Sequence, residues 1–299
     1  MLEVGELSVR RQPNGGPVAD RVQILGQVSP AGKRQIVLLM HGYANDQQTA
    51  SGSYDNCINN LKVCTGAANS SLPSPFFKFY WPGDTRLRWF SELSYPWEIT
   101  PAIESGTRLA EFLANLAGPD GTPLEVHLVA HSLGNRVMLE MLEHLRHNLP
   151  SSLILRSASL MAAAVPVRML QDPMELMLAA LAPHRRHALF STADRVLHWA
   201  FPLGETAANE GFFPEAVGRR GNPPYGVWTT RISMNGYGHS DYWRLYTTAS
   251  VLAGLLGATV ASPSTVNVIS ARQATADRSL PSAPPPAVRS QQVRPSPGS

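Results

Sequence analysis

The chain has 299 residues, 43% hydrophobic and 16% charged, which suits a globular protein with a sizeable core in one large α/β domain or two small ones. Its formal charge of +3 lies wholly in residues 262–299, where four arginines face one aspartate. The rest sums to zero, so the folded part offers no electrostatic case for nucleic-acid binding. No segment approaches the ~18 consecutive apolar residues of a membrane span, and residues 1–11 lack the apolar core of a secretory signal, so a cytoplasmic location is expected.

In chain order, Leu7-Ser8-Val9-Arg10 and residues 20–25 alternate, which predicts two edge strands joined by the turn chemistry of Pro13-Asn14-Gly15-Gly16-Pro17. Gln35-Ile36-Val37-Leu38-Leu39-Met40 predicts a buried strand that delivers His41-Gly42-Tyr43. A helix is expected over residues 54–63. On a helix Cys57 and Cys64 stand ~10 Å apart along the axis, beyond disulfide reach, and are read as free thiols. Residues 76–81 form the next buried strand, stopped by Pro82-Gly83-Asp84. Pro101 is expected to open a helix to about Leu116, with Ile103, Leu109, Phe112, Leu113 and Leu116 along one face.

Glu125-Val126-His127-Leu128-Val129 is read as a strand, and residues 136–145 as the helix beyond it. Residues 155–165 predict one continuous strand closed by Pro166. Residues 169–181 predict a Met-rich helix, and residues 185–190 the strand before Asp194. The Gly-, Pro- and Phe-rich strip at 200–225 is expected to cover part of a site mouth. Residues 227–232 form a last strand, and residues 242–258 a closing helix. Strands alternating with helices predict an α/β fold, a mostly parallel central sheet with helices on both faces, over residues 1–261. Residues 262–299 have no aromatic side chain and are rich in Pro, Ser and Ala. They cannot offset their ordering entropy and are expected to be a disordered tail.

Ala130-His131-Ser132-Leu133-Gly134 stands between a strand and a helix. A serine on a sharp strand-to-helix turn, with small side chains two residues away on each side, is the arrangement of a nucleophile elbow; Ala130 stands where glycine is usual. The bland reading of Ser132 is a helix-capping serine. A serine hydroxyl is a weak nucleophile without a base in reach, and the base needs an orienting acceptor. Asp194 ends a strand and His239 lies in the Gly-rich loop beyond the last strand, in the order Ser132, Asp194, His239. His127 sits in a strand, His131 in the elbow, and His144, His147, His184, His187 and His198 on helical or polar stretches. Of the rival acids, Asp172 reads as a helix cap, and Asp241 is too near His239 in the chain to come from the usual strand end.

The chain resembles the α/β hydrolases, and within them a bacterial group known as a hydrolase domain of unknown function. The resemblance rests on His41-Gly42-Tyr43, Trp81-Pro82, Ala130-His131-Ser132-Leu133-Gly134-Asn135, Ser191-x-x-Asp194 and Gly238-His239-Ser240-x-Tyr242, over roughly residues 35–246. It implies an α/β-hydrolase fold and a serine hydrolase, esterase- or lipase-like, that needs no metal or organic cofactor. Ser132 would attack a small-molecule or lipid ester, His239 would carry the proton, and Asp194 would orient the ring. The backbone N–H groups of Tyr43 and Leu133 would hold the oxyanion. In the resembled group an acid often ends the preceding strand as well; this chain has Ala162-Ala163-Ala164 there, which leaves Asp194.

Serine at 132 excludes aspartate-nucleophile chemistry, while amides and thioesters remain accessible to the same groups. The competing reading is a non-catalytic binding or scaffold protein whose tail is the working part. Asn45 is read either as orienting the oxyanion loop or as a turn residue. Trp81, Trp89, Tyr95, Trp97, Phe212 and Phe213 are candidates for an acyl pocket or for the core, and Met169, Met174 and Met177 for packing. Substrate identity and oligomeric state have no signature in the chain.

Overall fold

Two apolar runs make the centre of the molecule. β3 (Gln35–Met40) and β4 (Phe76–Tyr80) are buried at successive residues, which requires cover on both faces of the sheet. The computed structural model describes residues 2–66, 71–84, 96–171, 176–208, 213–223 and 226–260, with backbone alone at 96–98, 204 and 207. The expected tail, Asp172, Met174, Arg86, Trp89, Tyr95 and Phe212 lie outside the described residues, as does the side chain of Trp97.

The remaining strands are β1 (Val4–Arg10), β2 (Val18–Leu25), β5 (Leu124–His131), β6 (Leu153–Met161), β7 (Arg185–Phe190) and β8 (Thr230–Ser233). They complete an eight-stranded sheet in the order β2-β1-β4-β3-β5-β6-β7-β8. β1 and β2 pair antiparallel and the other neighbours pair parallel, as expected of a mostly parallel sheet. From β3 the chain steps to β4 on one side, and β5 lies on the other. The carboxyl ends of β3 and β5 therefore flank the point where the winding reverses, where open α/β sheets hold ligands.

Long helices cover the sheet. α1 (Gln47–Thr65) starts on Asp46, whose carboxylate accepts the Thr49 N–H at 2.7 Å. α2 (Pro96–Ala114) packs on α3 (Gly134–Arg146). The shorter α4 (Met177–Leu181), α5 (Phe201–Ala207) and α6 (Val217–Arg220) follow. α7 (Asp241–Arg244) and α8 (Tyr246–Leu255) pack on α1. Cys57 and Cys64 are free and buried. No described helix is long and apolar enough to cross a membrane.

Several boundaries differ from the sequence reading. β1 is an inner strand: Leu7 and Val9 are fully buried, and Arg10 is buried because it pairs with Asp84 and donates to the Trp81 carbonyl at 2.7 Å. α2 begins at Pro96, where a missing N–H costs nothing, so Pro101 lies inside the helix instead of opening it. The strand expected to reach Val165 ends at Met161, because Ala162 turns left-handed (φ 43°) and its N–H bonds the Leu189 carbonyl. In place of one Met-rich helix there is a short 3₁₀ turn at Val167–Leu170 and then α4. The last strand starts at Thr230 because the Val227 carbonyl is taken by the Arg186 guanidinium at 2.6 Å. The closing helix is broken at Leu245, whose ψ of 136° is extended.

Candidate active site

The turn after β5 is strained and tightly held. Ser132 has φ 53°, the left-handed region that a side chain with Cβ rarely occupies. Its N–H bonds the Met161 carbonyl at 3.0 Å, and its own carbonyl accepts from the N–H groups of Asn135 and Ala164 at 3.1 and 3.2 Å. The fully buried Asn135 amide adds a clamp, donating to the Ser132 carbonyl at 2.9 Å and the Met161 carbonyl at 3.1 Å. Ala130 is fully buried, so its methyl is accommodated where glycine is usual.

Two glycines let the β3 and β5 edges touch. A Cβ on Gly42 would lie 2.6 Å from Ser132 Cβ, and one on Gly134 would lie 2.3 Å from the His41 carbonyl oxygen. The loop after β3 is thus pressed directly against the serine.

The structure brings Ser132, His239 and Asp194 into one line. Ser132 Oγ lies 2.8 Å from His239 Nε2, and His239 Nδ1 lies 2.8 Å from Asp194 Oδ2. A carboxylate accepts, so Nδ1 carries the ring proton and Nε2 is left to accept the Ser132 hydroxyl. Asp194 is fully buried, and its second oxygen accepts the Leu197 N–H at 3.0 Å. The Ser191 hydroxyl ties this loop to the Tyr237 carbonyl at 2.8 Å. The rival acid Asp241 is engaged elsewhere, accepting the Gly238 N–H and pairing with Arg244, both at 2.8 Å.

The His41 imidazole organises the neighbouring loop. Its Nδ1–H donates to the Gly42 carbonyl at 2.9 Å, and its Nε2 faces the Trp81 N–H at 3.3 Å. The Trp81 indole returns a bond to the His41 carbonyl at 2.8 Å and stacks on the ring at 5.5 Å. Asn45 Nδ2 donates to the Gly42 and Tyr43 carbonyls at 3.2 and 2.8 Å, so Asn45 does orient this loop. The Gly42 carbonyl and the Tyr43 N–H belong to one peptide plane and point opposite ways, so holding the first sets the direction of the second. The Leu133 N–H bonds no described residue. Trp81 is fully buried against His41, whereas Phe213 is half exposed.

Sequence reasoning assigned no role to two residues here, Asn135 and His131. His131 Nε2 lies 2.8 Å from the His239 carbonyl, which only accepts, so His131 carries its proton on Nε2. Its ring packs 4.9 Å from His239 and among Tyr242 and Trp243 of α7. A histidine directly before the serine was the available signal. Burial, and the positive form of His239 beside it, push His131 down to about 3; burial does the same for His41. Among the described residues no group of His, Cys, Asp or Glu could hold a metal ion.

This fold and this turn define the class: an α/β hydrolase. Residues 18–206 match the family described as "Alpha/beta hydrolase of unknown function (DUF900)", and the chain belongs to that family. No curated protein matches it. Among solved structures it is similar to an uncharacterized protein from Bacillus cereus, with TM-score 0.42 and 12% identity over 79% of this chain and 62% of that one. It thus spans less than two thirds of that protein. It is also similar to an esterase from the archaeon Pyrobaculum calidifontis, with TM-score 0.38 and 12% identity over 76% and 75% of the two chains. A putative hydrolase from Agrobacterium vitis gives TM-score 0.42 and 12% identity over 76% of this chain and 90% of its own.

Both buried imidazoles couple stability to pH. Their folded values lie near 3, below the ordinary 6.5, so between those limits the unfolded chain binds protons that the folded chain refuses. Stability from these groups is complete above pH 6.5 and is lost as pH falls, by about 1.4 kcal/mol per pH unit for each. His127 and His187, held near 4 by burial, act in the same direction. Urea unfolding between pH 6 and 4 is expected to show uptake of about two protons or more; a flat profile would contradict these environments.

Proposed function

We propose that the protein is a serine hydrolase that cleaves carboxylic esters through an acyl-enzyme on Ser132. One observation carries this reading: hydroxyl, imidazole and buried carboxylate share an unbroken line of hydrogen bonds at the strained turn after β5. As Ser132 Oγ bonds to the carbonyl carbon, its proton passes to His239 Nε2 and the carbonyl π pair moves onto oxygen. Asp194 stabilises the imidazolium that results. The Tyr43 and Leu133 N–H groups receive the oxyanion, aided by the N-terminal end of α3. When the tetrahedral species collapses, the alcohol leaves with the proton from His239. Water then gives a proton to His239 and attacks the acyl carbon, and Ser132 recovers its proton as the acid departs.

The scaffold reading requires none of this alignment. It would tolerate a serine out of reach of His239 and an acid turned away from the ring, and neither occurs.

Hydrolysis of p-nitrophenyl esters of graded acyl length tests the proposal. Ser132→Ala is expected to lower kcat by at least about 10⁴-fold and Asp194→Asn by roughly 10³- to 10⁴-fold, with unchanged thermal unfolding. A folded wild type inert toward the whole series would favour the scaffold reading. His131 acts through the His239 backbone. His131→Ala is therefore expected to cut kcat by up to about 10²-fold with little change in KM, and His131→Gln, which keeps a donor, to recover part of it. Equal loss of kcat in both variants would count against positioning.

A further inference from the structure

We propose that the helical segment leaving Asp194 docks the protein on an anionic lipid surface, so that esters held in that surface reach Ser132; the second part rests on the hydrolase reading above. The segment is a π-helical turn, Val196–Ala200, that runs on into α5. Leu197 and Phe201 point inward and are each 2% exposed. Val196, Trp199 and Leu203, at spacing i, i+3 and i+7, are 44%, 66% and 47% exposed. The helix is therefore apolar on its outer stripe as well as its inner one. A water-facing helix should carry polar residues there, and an outward apolar stripe marks a surface that is covered in use.

The charges around the stripe select what covers it. Arg195 is exposed and makes no ion pair with a described residue. Exposed His198 accepts the Arg219 guanidinium at 3.2 Å, which places a second cation beside Trp199, itself 4.5 Å from the His198 ring. No acidic residue lies between 195 and 203, and the flanking Asp194 and Glu205 are both buried. Exposed apolar side chains flanked by exposed Arg195 and half-buried Arg219, with no acid among residues 195–203 and Glu215 already paired to Arg220, fit an anionic membrane interface, where Trp and Leu enter the acyl boundary and arginine meets the headgroups. The chain's own tail, with four arginines against one aspartate, carries the wrong sign to complement this rim.

The position gives docking a consequence. The Leu197 N–H bonds Asp194 Oδ1 at 3.0 Å, so the stripe starts on the turn that holds the acid of the proposed triad. That turn lies at the same carboxyl edge of the sheet as Ser132. A lipid surface met by Trp199 would lie on the rim of the site.

Sedimentation of the full chain with vesicles tests this, using phosphatidylcholine alone or mixed with phosphatidylglycerol. The readouts are bound fraction and tryptophan emission, with turnover of a water-soluble ester measured in parallel. The wild type is expected to bind the mixed vesicles with a blue shift and to bind the neutral ones weakly. The double variant Trp199→Ser/Leu203→Ser is expected to bind at least tenfold less, and Arg195→Glu several-fold less, both with soluble-ester turnover intact. A wild type that stays in solution while hydrolysing the soluble ester would overturn the docking and leave the hydrolase reading standing. Binding that the double variant does not weaken would also overturn it, by placing attachment elsewhere. So would a dimer that the double variant dissociates, since a second copy would then cover the stripe. Vesicle binding that needs Trp199 in a protein inert toward esters would sustain the docking and remove the hydrolase reading.

Discussion

One steric constraint governs the site: the loop after β3 and the turn after β5 approach so closely that neither Gly42 nor Gly134 has room for a side chain. Gly42 stands against Ser132, and Gly134 against the His41 carbonyl. A single methyl at either place would meet atoms under 3 Å away and drive the β3 loop off the turn after β5. The same closeness needs Ser132 in a left-handed conformation, a strain on the order of 1–3 kcal/mol that persists only where its surroundings over-determine it. Here the Met161 and Ala164 backbones and the Asn135 side chain hold the residue from three directions. The reversal of winding between β3 and β5 creates the crevice, and the two glycines let its walls close around the serine.

Two neutral imidazoles then shape what the crevice presents. His41 must be uncharged to accept from the Trp81 N–H while it donates to the Gly42 carbonyl. Through that carbonyl it sets the direction of the Tyr43 N–H. His131 must stay uncharged for a different reason. Its ring lies 4.9 Å from His239, and a second cation there would oppose the proton that the proposed mechanism puts on His239. Burial achieves both, and acid lability follows from it.

The sequence made much of this legible. The apolar run at residues 35–40 and the strand at 185–190 appear with the expected bounds, because each has a buried centre and ends in a polar turn. The grouping of Ser132, Asp194 and His239 was legible because each follows a strand of one sheet and so comes to one edge. What escaped was tertiary in origin. Ala162-Ala163-Ala164-Val165 is as apolar as a strand, yet it turns to meet Leu189 and Ser132. β1 reads as an edge because its residues alternate, and only the pairing with Asp84 explains the burial of Arg10. His131 and Asn135 act through backbone carbonyls, a role that no spacing in the sequence announces.

The most direct measurement is peptide-level mass spectrometry of the protein after treatment with a fluorophosphonate, which phosphonylates only an activated serine. The account expects one adduct, on Ser132, formed rapidly in the wild type and lost in His239→Ala. No adduct on a folded wild type, or an adduct on another serine that persists in His239→Ala, would contradict the claim that this turn is a working nucleophile elbow.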